Sequence, residues 1–511
     1  MILKDLIFFF ISFMLIFSNI PQMLQINVIG GLVGNKLVFY PLVAGFIYTA
    51  YCQWKYKNVF LHSGKLLKFL MVYLSVTLLS LLLGLYYYPY WDLVTNGPID
   101  QIEKLPKVLA MFQNFGIEPD VKIVTSIWMI VRTFKGLILD TFYSFCGSYM
   151  IYCWYKDDWK RGLDVFLKGL SCSLFVIFIY SMIELFYLAG NENAKEMLEL
   201  ITPYFHIIKT NHGWWPPLLW KGQIRSVFAE PSFFSIWAAF AMPFLWHKVI
   251  TSKIFKWKAI YGTVLVFLTF LVFMTKARTG VALLCGEVML LSLYTLYIRD
   301  KKVLKQFTIV MLCTLVAFWL SNSFINNYIN QNQSKPVTVT VSEYVDSNLI
   351  SITSTTRRSN TARYSSIYAN VMIGLDNPIL GVGQGLTPAY MPDYFPEMAK
   401  NNMEVQNWIK YQKDEGVLKR GIPSFSAYSL KFAETGFVGL ILYMFPVVVL
   451  LYRLCKGIYK HEYNWNQVML LISLLGILVS GFSNTLNVTY CYWVLLGLGY
   501  SMCFGNIKEN N

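Results

Sequence analysis

Five short stretches of the chain carry side chains suited to binding or transferring a charged group. In Arg225-Ser-Val-Phe-Ala-Glu230-Pro231-Ser232, a guanidinium precedes a carboxylate and a proline. Proline fits the first turn of a helix and pushes the residue before it out of the α region. A helix is therefore predicted from Pro231, with Glu230 near its cap and Arg225 on extended chain. Glu230 there can act as a general base, orient Arg225 or simply cap the helix. The run Met274-Thr-Lys-Ala-Arg278-Thr-Gly280 reads as a very tight hairpin that holds Arg278 at the end of two apolar runs. Arg363 opens an i, i+3, i+4 pattern through Tyr364, Ile367, Tyr368, Val371, Met372 and Leu375, the mark of an amphipathic helix. Asp376-Asn-Pro-Ile-Leu-Gly381-Val-Gly383-Gln-Gly385 is glycine-rich enough to cradle phosphate with backbone N–H groups. It follows a helix and lacks a Lys-Ser/Thr, so it is neither a P-loop nor a dinucleotide site. Finally, Ala433-Glu434-Thr-Gly436 sets a carboxylate about two turns into an apolar run, which is costly unless paired or functional.

The elements that must hold these residues are membrane helices. The chain is 56% hydrophobic and 14% charged, where a soluble domain carries nearer a quarter charged residues. About twelve runs have the roughly 20 apolar residues a span needs. They centre on Phe13, Val43, Leu78, Tyr143, Phe178, Ala238, Phe267, Met289, Thr314, Tyr443, Leu475 and Leu495. The formal charge of +15 sits mostly in short clusters after every second run, such as Lys156, Lys160, Arg161 and Arg299, Lys301, Lys302. Basic loops stay in the cytoplasm, which puts both termini there and argues against nucleic-acid binding. Long segments then face outward at residues 89–125, 190–225 and 321–424. Arg225, Arg278, Arg357, Arg358, Arg363 and Arg420 fall on that outer side, against the charge trend. Guanidinium matches phosphate oxygens with paired hydrogen bonds, so an outer cluster at headgroup level suits a lipid-linked diphosphate. Each arginine taken singly can instead pair with a lipid phosphate or a carboxylate.

Histidine and cysteine narrow the chemistry. Of five histidines, only His206 and His212 lie outside, so a base from the 321–424 segment must be a carboxylate. Nine cysteines, with no CxxC and none in the outer segments, indicate neither disulfides nor a zinc site. The first apolar run, Leu6 to about Leu24, lacks a small-residue cleavage site and reads as a retained helix. Asp140, Glu184 and Glu287 lie within or near spans and are expected to form structural ion pairs.

Taken together and in order, these segments resemble the O-antigen ligase and O-antigen polymerase superfamily. The resemblance rests on four pieces. They are Arg225 to Pro231, the Arg278 hairpin, the Arg363 helix running into Pro378-Ile-Leu-Gly-Val-Gly-Gln-Gly385, and Ala433-Glu-Thr-Gly-Phe-Val-Gly439. It covers about the C-terminal two thirds of the chain. The resemblance implies an all-α, polytopic bundle of about twelve spans, one integral membrane domain over 1–511, with a large helical outer loop between spans nine and ten. It implies a metal-independent, inverting glycosyl transfer on the outer face of a bacterial inner membrane, without cofactor. Undecaprenyl diphosphate leaves, and arginines matching Arg225 and Arg278 hold it, with Arg363 as a third. In the ligase branch a loop His just before the late span is the base. Here the matching stretch, Gly421-Ile-Pro-Ser-Phe-Ser-Ala-Tyr428, has Ser424 and Ser426 but no His.

That departure favours a polymerase joining lipid-linked repeat units over a ligase capping lipid A core. Glu230 is the favoured base and Glu434 the runner-up, with His212, Gly381, Gly383 and Arg420 as further site candidates. Expected partners are the undecaprenyl-diphosphate-linked oligosaccharide, membrane lipids, a chain-length regulator and a flippase. A transporter of lipid-linked oligosaccharide is the alternative from another class. It leaves the outer arginines unexplained, and no repeated halves are visible. A synthase using nucleotide sugars needs a cytosolic domain that inner loops of about 10–15 residues cannot supply.

Overall fold

The computed structural model describes residues 2–17, 20–21, 24, 36–56, 64–207, 218–220, 222–329, 358–460, 464–487 and 489–505. Among these residues the chain is all helix, with no strand. The main helices are α1 (Leu3–Met14), α2 (Phe39–Tyr56), α3 (Gly64–Tyr86), α4 (Leu105–Asn114), α5 (Val121–Thr141) and α6 (Gly147–Tyr155). They continue with α7 (Trp159–Leu188), α8 (Glu192–Phe205), α9 (Pro231–Thr251), α10 (Phe255–Met274), α11 (Arg278–Ile298) and α12 (Lys301–Phe324). The last are α13 (Arg358–Asp376), α14 (Met403–Glu415), α15 (Ala427–Tyr459), α16 (Trp465–Ser480) and α17 (Cys491–Phe504).

Seven of the described helices are long and apolar enough to cross a membrane. They hold the centres Leu78, Phe178, Ala238, Phe267, Met289, Thr314 and Tyr443. The other five expected centres fall in helices that are short or diluted by polar groups. Phe13 lies in the 12-residue α1, and Leu475 and Leu495 lie in the 16- and 14-residue α16 and α17. Tyr143 sits in a π-turn, Phe142–Cys146, that joins α5 to α6 in one long rod. α5 carries Lys122, Arg132, Lys135 and Asp140 and is too polar for a plain span.

α9 is the centre of the bundle. It is apolar on every side, and a helix of that kind belongs inside a core. Phe234, Trp237, Phe240 and Trp246 are all fully buried along it. Around it, the ends of α3, α10 and α16 meet the starts of α9, α11, α15 and α17. Direct contacts fix this. The Ile224 N–H donates to the Met274 carbonyl at 3.4 Å, and the Ala427 N–H to the Gly481 carbonyl at 2.9 Å. The opposite end is closed by Asp5, which pairs with Arg161 at 2.6 Å and accepts from the Tyr155 hydroxyl at 3.0 Å.

α13 lies against α15 with an unexpected face. Ala362, Ser365, Ser366, Ala369, Asn370 and Ile373 are buried, while Tyr364, Tyr368 and Leu375 are exposed. Small residues let the two helices approach closely, as membrane helices do. At Gly374 an added Cβ would lie 2.4 Å from the Phe432 ring. Of the apolar stripe read from the sequence, Tyr368 and Leu375 are exposed, while Tyr364 and Ile367 turn toward α11 and line a cavity with it.

One element was not foreseen: α15 is broken. Gly436 has φ 63°, ψ −167°, a conformation open essentially to glycine alone. The break frees backbone groups that must be bonded elsewhere, and the 378–383 segment takes them. Val382 and Gly383 donate to the Ala433 and Glu434 carbonyls at 2.9 Å each, and Phe437 donates to Pro378 at 2.7 Å. Gly381, at φ 66°, is forced by the same contact: an added Cβ would lie 2.4 Å from the Glu434 carbonyl carbon. Gly436→Ala should thus unfold this end of the bundle, at roughly 1–3 kcal/mol for the backbone alone. A thermal melt of the purified protein unchanged from wild type would show that the break tolerates a side chain.

Candidate functional site

The Arg278 hairpin is built as the sequence suggests. α10 stops at Met274, Lys276 takes φ 50°, and the Ala277 N–H donates to Thr275 Oγ1 at 3.1 Å before α11 begins at Arg278. Gly280 lets α11 pack on α9, since an added Cβ would stand 2.5 Å from Ser235 Oγ. Arg278 faces a cavity of ≈ 290 Å³ that it shares with Arg363, Asn360, Phe425 and Ser483. The Arg363 guanidinium lies 5.2 Å over the Phe425 ring, a cation–π contact that fixes its plane. Among the described residues the lining holds two arginines, no Asp or Glu, and an apolar floor of Ala282, Leu283 and Val479. Two guanidinium groups over an apolar floor are suited to a lipid carrying a phosphate or diphosphate.

Arg225 does not line this cavity. It sits in a loop held by Glu184 of α7, whose carboxylate accepts from the Arg225 N–H at 3.2 Å and the Ser226 N–H at 2.9 Å. The Arg225 guanidinium bends back to the Ala229 carbonyl at 3.1 Å. Ser226 takes φ 51°, and its carbonyl is bonded by His206 Nε2 at 2.9 Å. Burial, with Arg225 nearby, holds the His206 pKa well below the usual histidine range. Its Nε2 is spent on the Ser226 carbonyl, so the ring braces this loop. Of the three arginines grouped as diphosphate-binding, Arg278 and Arg363 share this cavity, and Arg225 lies in the loop just described. Glu230 is the N-cap residue of α9 but makes no capping bond. Its half-buried carboxylate accepts from Ser232 Oγ at 3.2 Å.

Glu434 belongs to a different cavity. Its Oε1 accepts from the Gly385 N–H at 2.8 Å, and its Oε2 lies 3.7 Å from Lys431 Nζ. Lys431 also pairs with Asp140 of α5 at 2.9 Å and is buried. The expected ion pair of Asp140 is thus present. For Glu184 the partners are backbone N–H groups. Glu287 has none: both its oxygens are buried without a hydrogen bond among the described residues. Lys431→Met should cost about 3–5 kcal/mol by stranding two carboxylates, and adding Asp140→Asn should recover part of it. Equal melting temperatures for the single and double variants would show that the charges are not coupled.

The remaining candidates are placed by their contacts. The Gly383 N–H and the Gly385 N–H are taken by the Glu434 carbonyl and side chain, and the Gly381 N–H by the Asn377 carbonyl. The loop locks the helix break and does not offer these groups to phosphate. Arg420 donates to Glu415 at 3.1 Å, which holds the Glu415 carboxyl below its usual pKa. Such a surface pair contributes little to stability. His212 and Arg357 lie outside the described residues. Ser424 and Ser426 are also committed, Ser424 accepting from Asn370 Nδ2 at 3.0 Å and Ser426 capping α15. Sequence reasoning missed Lys36, Arg132 and Lys135, which line the Glu434 cavity. The spacing of Arg132 and Lys135, on one face of an otherwise apolar helix, was the available signal.

Fold and site together define a multi-pass helical membrane protein with a cavity lined by two arginines at one end of its bundle. Residues 263–444 match the family model described as O-antigen ligase, which bears out the resemblance to the O-antigen ligase and polymerase superfamily. The matched segment takes in Arg278, Arg363, the glycine loop and Glu434; Arg225 and Glu230 precede it. No curated protein matches the chain.

Proposed function

We propose that the chain is a glycan polymerase joining undecaprenyl-diphosphate-linked repeat units on the outer face of a bacterial inner membrane. The observation that carries this reading is the cavity shared by Arg278 and Arg363 within a segment matching the ligase family. In this reading the donor's diphosphate lies against the two guanidinium groups and its polyprenyl tail leaves over the apolar floor. The acceptor hydroxyl attacks the donor's anomeric carbon as the bond to the diphosphate oxygen breaks. The electron pair goes to the diphosphate, where preorganised positive charge stabilises it. The hydroxyl proton goes to a carboxylate, for which Glu230 is the choice, because Glu434 is engaged by Gly385 and Lys431. Polymerase is preferred over ligase because the stretch before α15 has no His and its two serines are committed elsewhere.

A deletion strain tests the reading. A ladder collapsed to one repeat unit supports a polymerase, and an intact ladder stranded on undecaprenyl diphosphate replaces it with the ligase. The proposed topology has about twelve passes, both termini in the cytoplasm, and residues 89–125, 190–225 and 321–424 outside. Cysteine labelling should find positions 300 and 456 reachable only from the cytoplasm. Labelling of either from outside would reverse the orientation.

A further inference from the structure

The cavity on the other side of α15 has a volume of ≈ 520 Å³ and nothing above assigns it a ligand. It is lined by Lys36, Arg132, Lys135 and Gln384, with Asp140 and Glu434 on its wall. The Arg132 guanidinium donates to the Leu418 carbonyl, and Lys36 Nζ stands 5.2 Å over the Tyr490 ring. None of these three cations pairs with a carboxylate among the described residues. Both wall carboxylates are instead held by Lys431. Three cations line the cavity and Lys431 behind its wall offsets the two carboxylates, so among the described residues positive charge is in surplus. The Arg278–Arg363 cavity likewise presents cationic side chains, and a diphosphate ester carries negative charge that such groups can meet.

The two cavities are neighbours. Gly421 lines one and Phe425 the other, and four residues of chain span at most about 14 Å even when fully extended. An oligosaccharide can reach from one to the other past residues 421–425. We infer that this second cavity binds the diphosphate of the acceptor lipid, holding its distal sugar toward the donor in the Arg278–Arg363 cavity. The inference rests on the polymerase reading, since only a polymerase takes two lipid diphosphates at once. Guanidinium and ammonium groups recognise the diphosphate itself, which a lipid or a soluble anion can present.

Native mass spectrometry of the full chain in detergent, with undecaprenyl diphosphate as probe, reads the stoichiometry. Two lipids are expected on the wild type, and one on either Arg132→Ala/Lys135→Ala or Arg278→Ala/Arg363→Ala. The lipid retained by each variant shows that it is folded. Lys135→Gln alone should weaken the second binding about tenfold, the loss of one charge-assisted hydrogen bond. One lipid on the wild type, or two on Arg132→Ala/Lys135→Ala, overturns the second site and leaves the Arg278–Arg363 reading standing. Inorganic diphosphate is the second arm. If it fills the second cavity while a single lipid binds, the site takes a soluble anion and the acceptor assignment falls.

Discussion

Arg278→Ala should lower transfer by about 10²–10³-fold, the loss seen when one preorganised group facing a developing anion is removed. Arg363→Ala should act similarly, because both guanidinium groups line the same cavity. Arg278→Lys should rescue poorly, since an ammonium cannot form the paired contact. Protein levels should hold in all three. Phe425→Ala should cost less, since the ring orients Arg363 and carries no charge. Arg225→Ala is expected to behave differently: it keeps the backbone bond to Glu184 but removes the buried guanidinium that bonds the Ala229 carbonyl, so loop order and protein level should fall with activity. The readout is the polymer ladder in a complemented deletion strain, beside a blot for the protein. Full-length ladders from both Arg278→Ala and Arg363→Ala would sink the diphosphate role.

The contrast between these arginines shows how far the sequence could be read. The Arg278 hairpin was legible because its cause is local: two long apolar runs separated by three residues leave little choice of geometry. The start of α9 was legible for the same reason, since Pro231 sets its own φ and restricts Glu230. The surroundings of Arg225 were not legible, because the Glu184 carboxylate that holds its backbone N–H lies 41 residues away, on another helix. The face by which α13 packs was not legible from its apolar stripe, for a reason of solvent. In water the apolar stripe of a helix goes inward, but beside a membrane the small-residue face makes the tighter helix pair. The break at Gly436 had a sequence correlate in the repeated glycines of 381–385. Only the pairing of Val382 and Gly383 with Ala433 and Glu434 gives those glycines their meaning, and that contact spans about fifty residues of chain.

The break also bears on the transport alternative. Discontinuous helices in transporters expose freed backbone groups to the ion or substrate at mid-membrane. Here the freed carbonyls of Ala433 and Glu434 and the N–H of Phe437 are bonded to the 378–383 segment. The Ser80 hydroxyl adds a bond to the Glu434 carbonyl at 2.8 Å. A break closed in this way positions a wall between two cavities and does not open a path.

The last expected result separates the two carboxylates proposed as base. A general base must be free to receive the proton and must lie within reach of the acceptor hydroxyl. Glu230 meets the first condition. Its carboxylate makes no capping bond and accepts from the Ser232 hydroxyl, and α9 meets the start of α11 through Ser235 and Gly280. Glu434 does not, because one oxygen is committed to Gly385 and the other faces Lys431. Glu230→Gln keeps the shape and still accepts from Ser232, so melting temperature and lipid binding should stay at wild-type values. Transfer should fall by about 10²-fold or more, the usual scale of general-base loss. Glu434→Gln should show the reverse order of effects. It weakens a buried charge network, so the melting temperature should drop, and transfer should fall only as far as the folded fraction does. The decisive measurement is transfer per folded molecule, taken at a temperature where both variants are stable. Normal transfer by Glu230→Gln, with loss in a fully folded Glu434→Gln, would move the base to Glu434 and bring the acceptor hydroxyl into the Lys36–Arg132–Lys135 cavity.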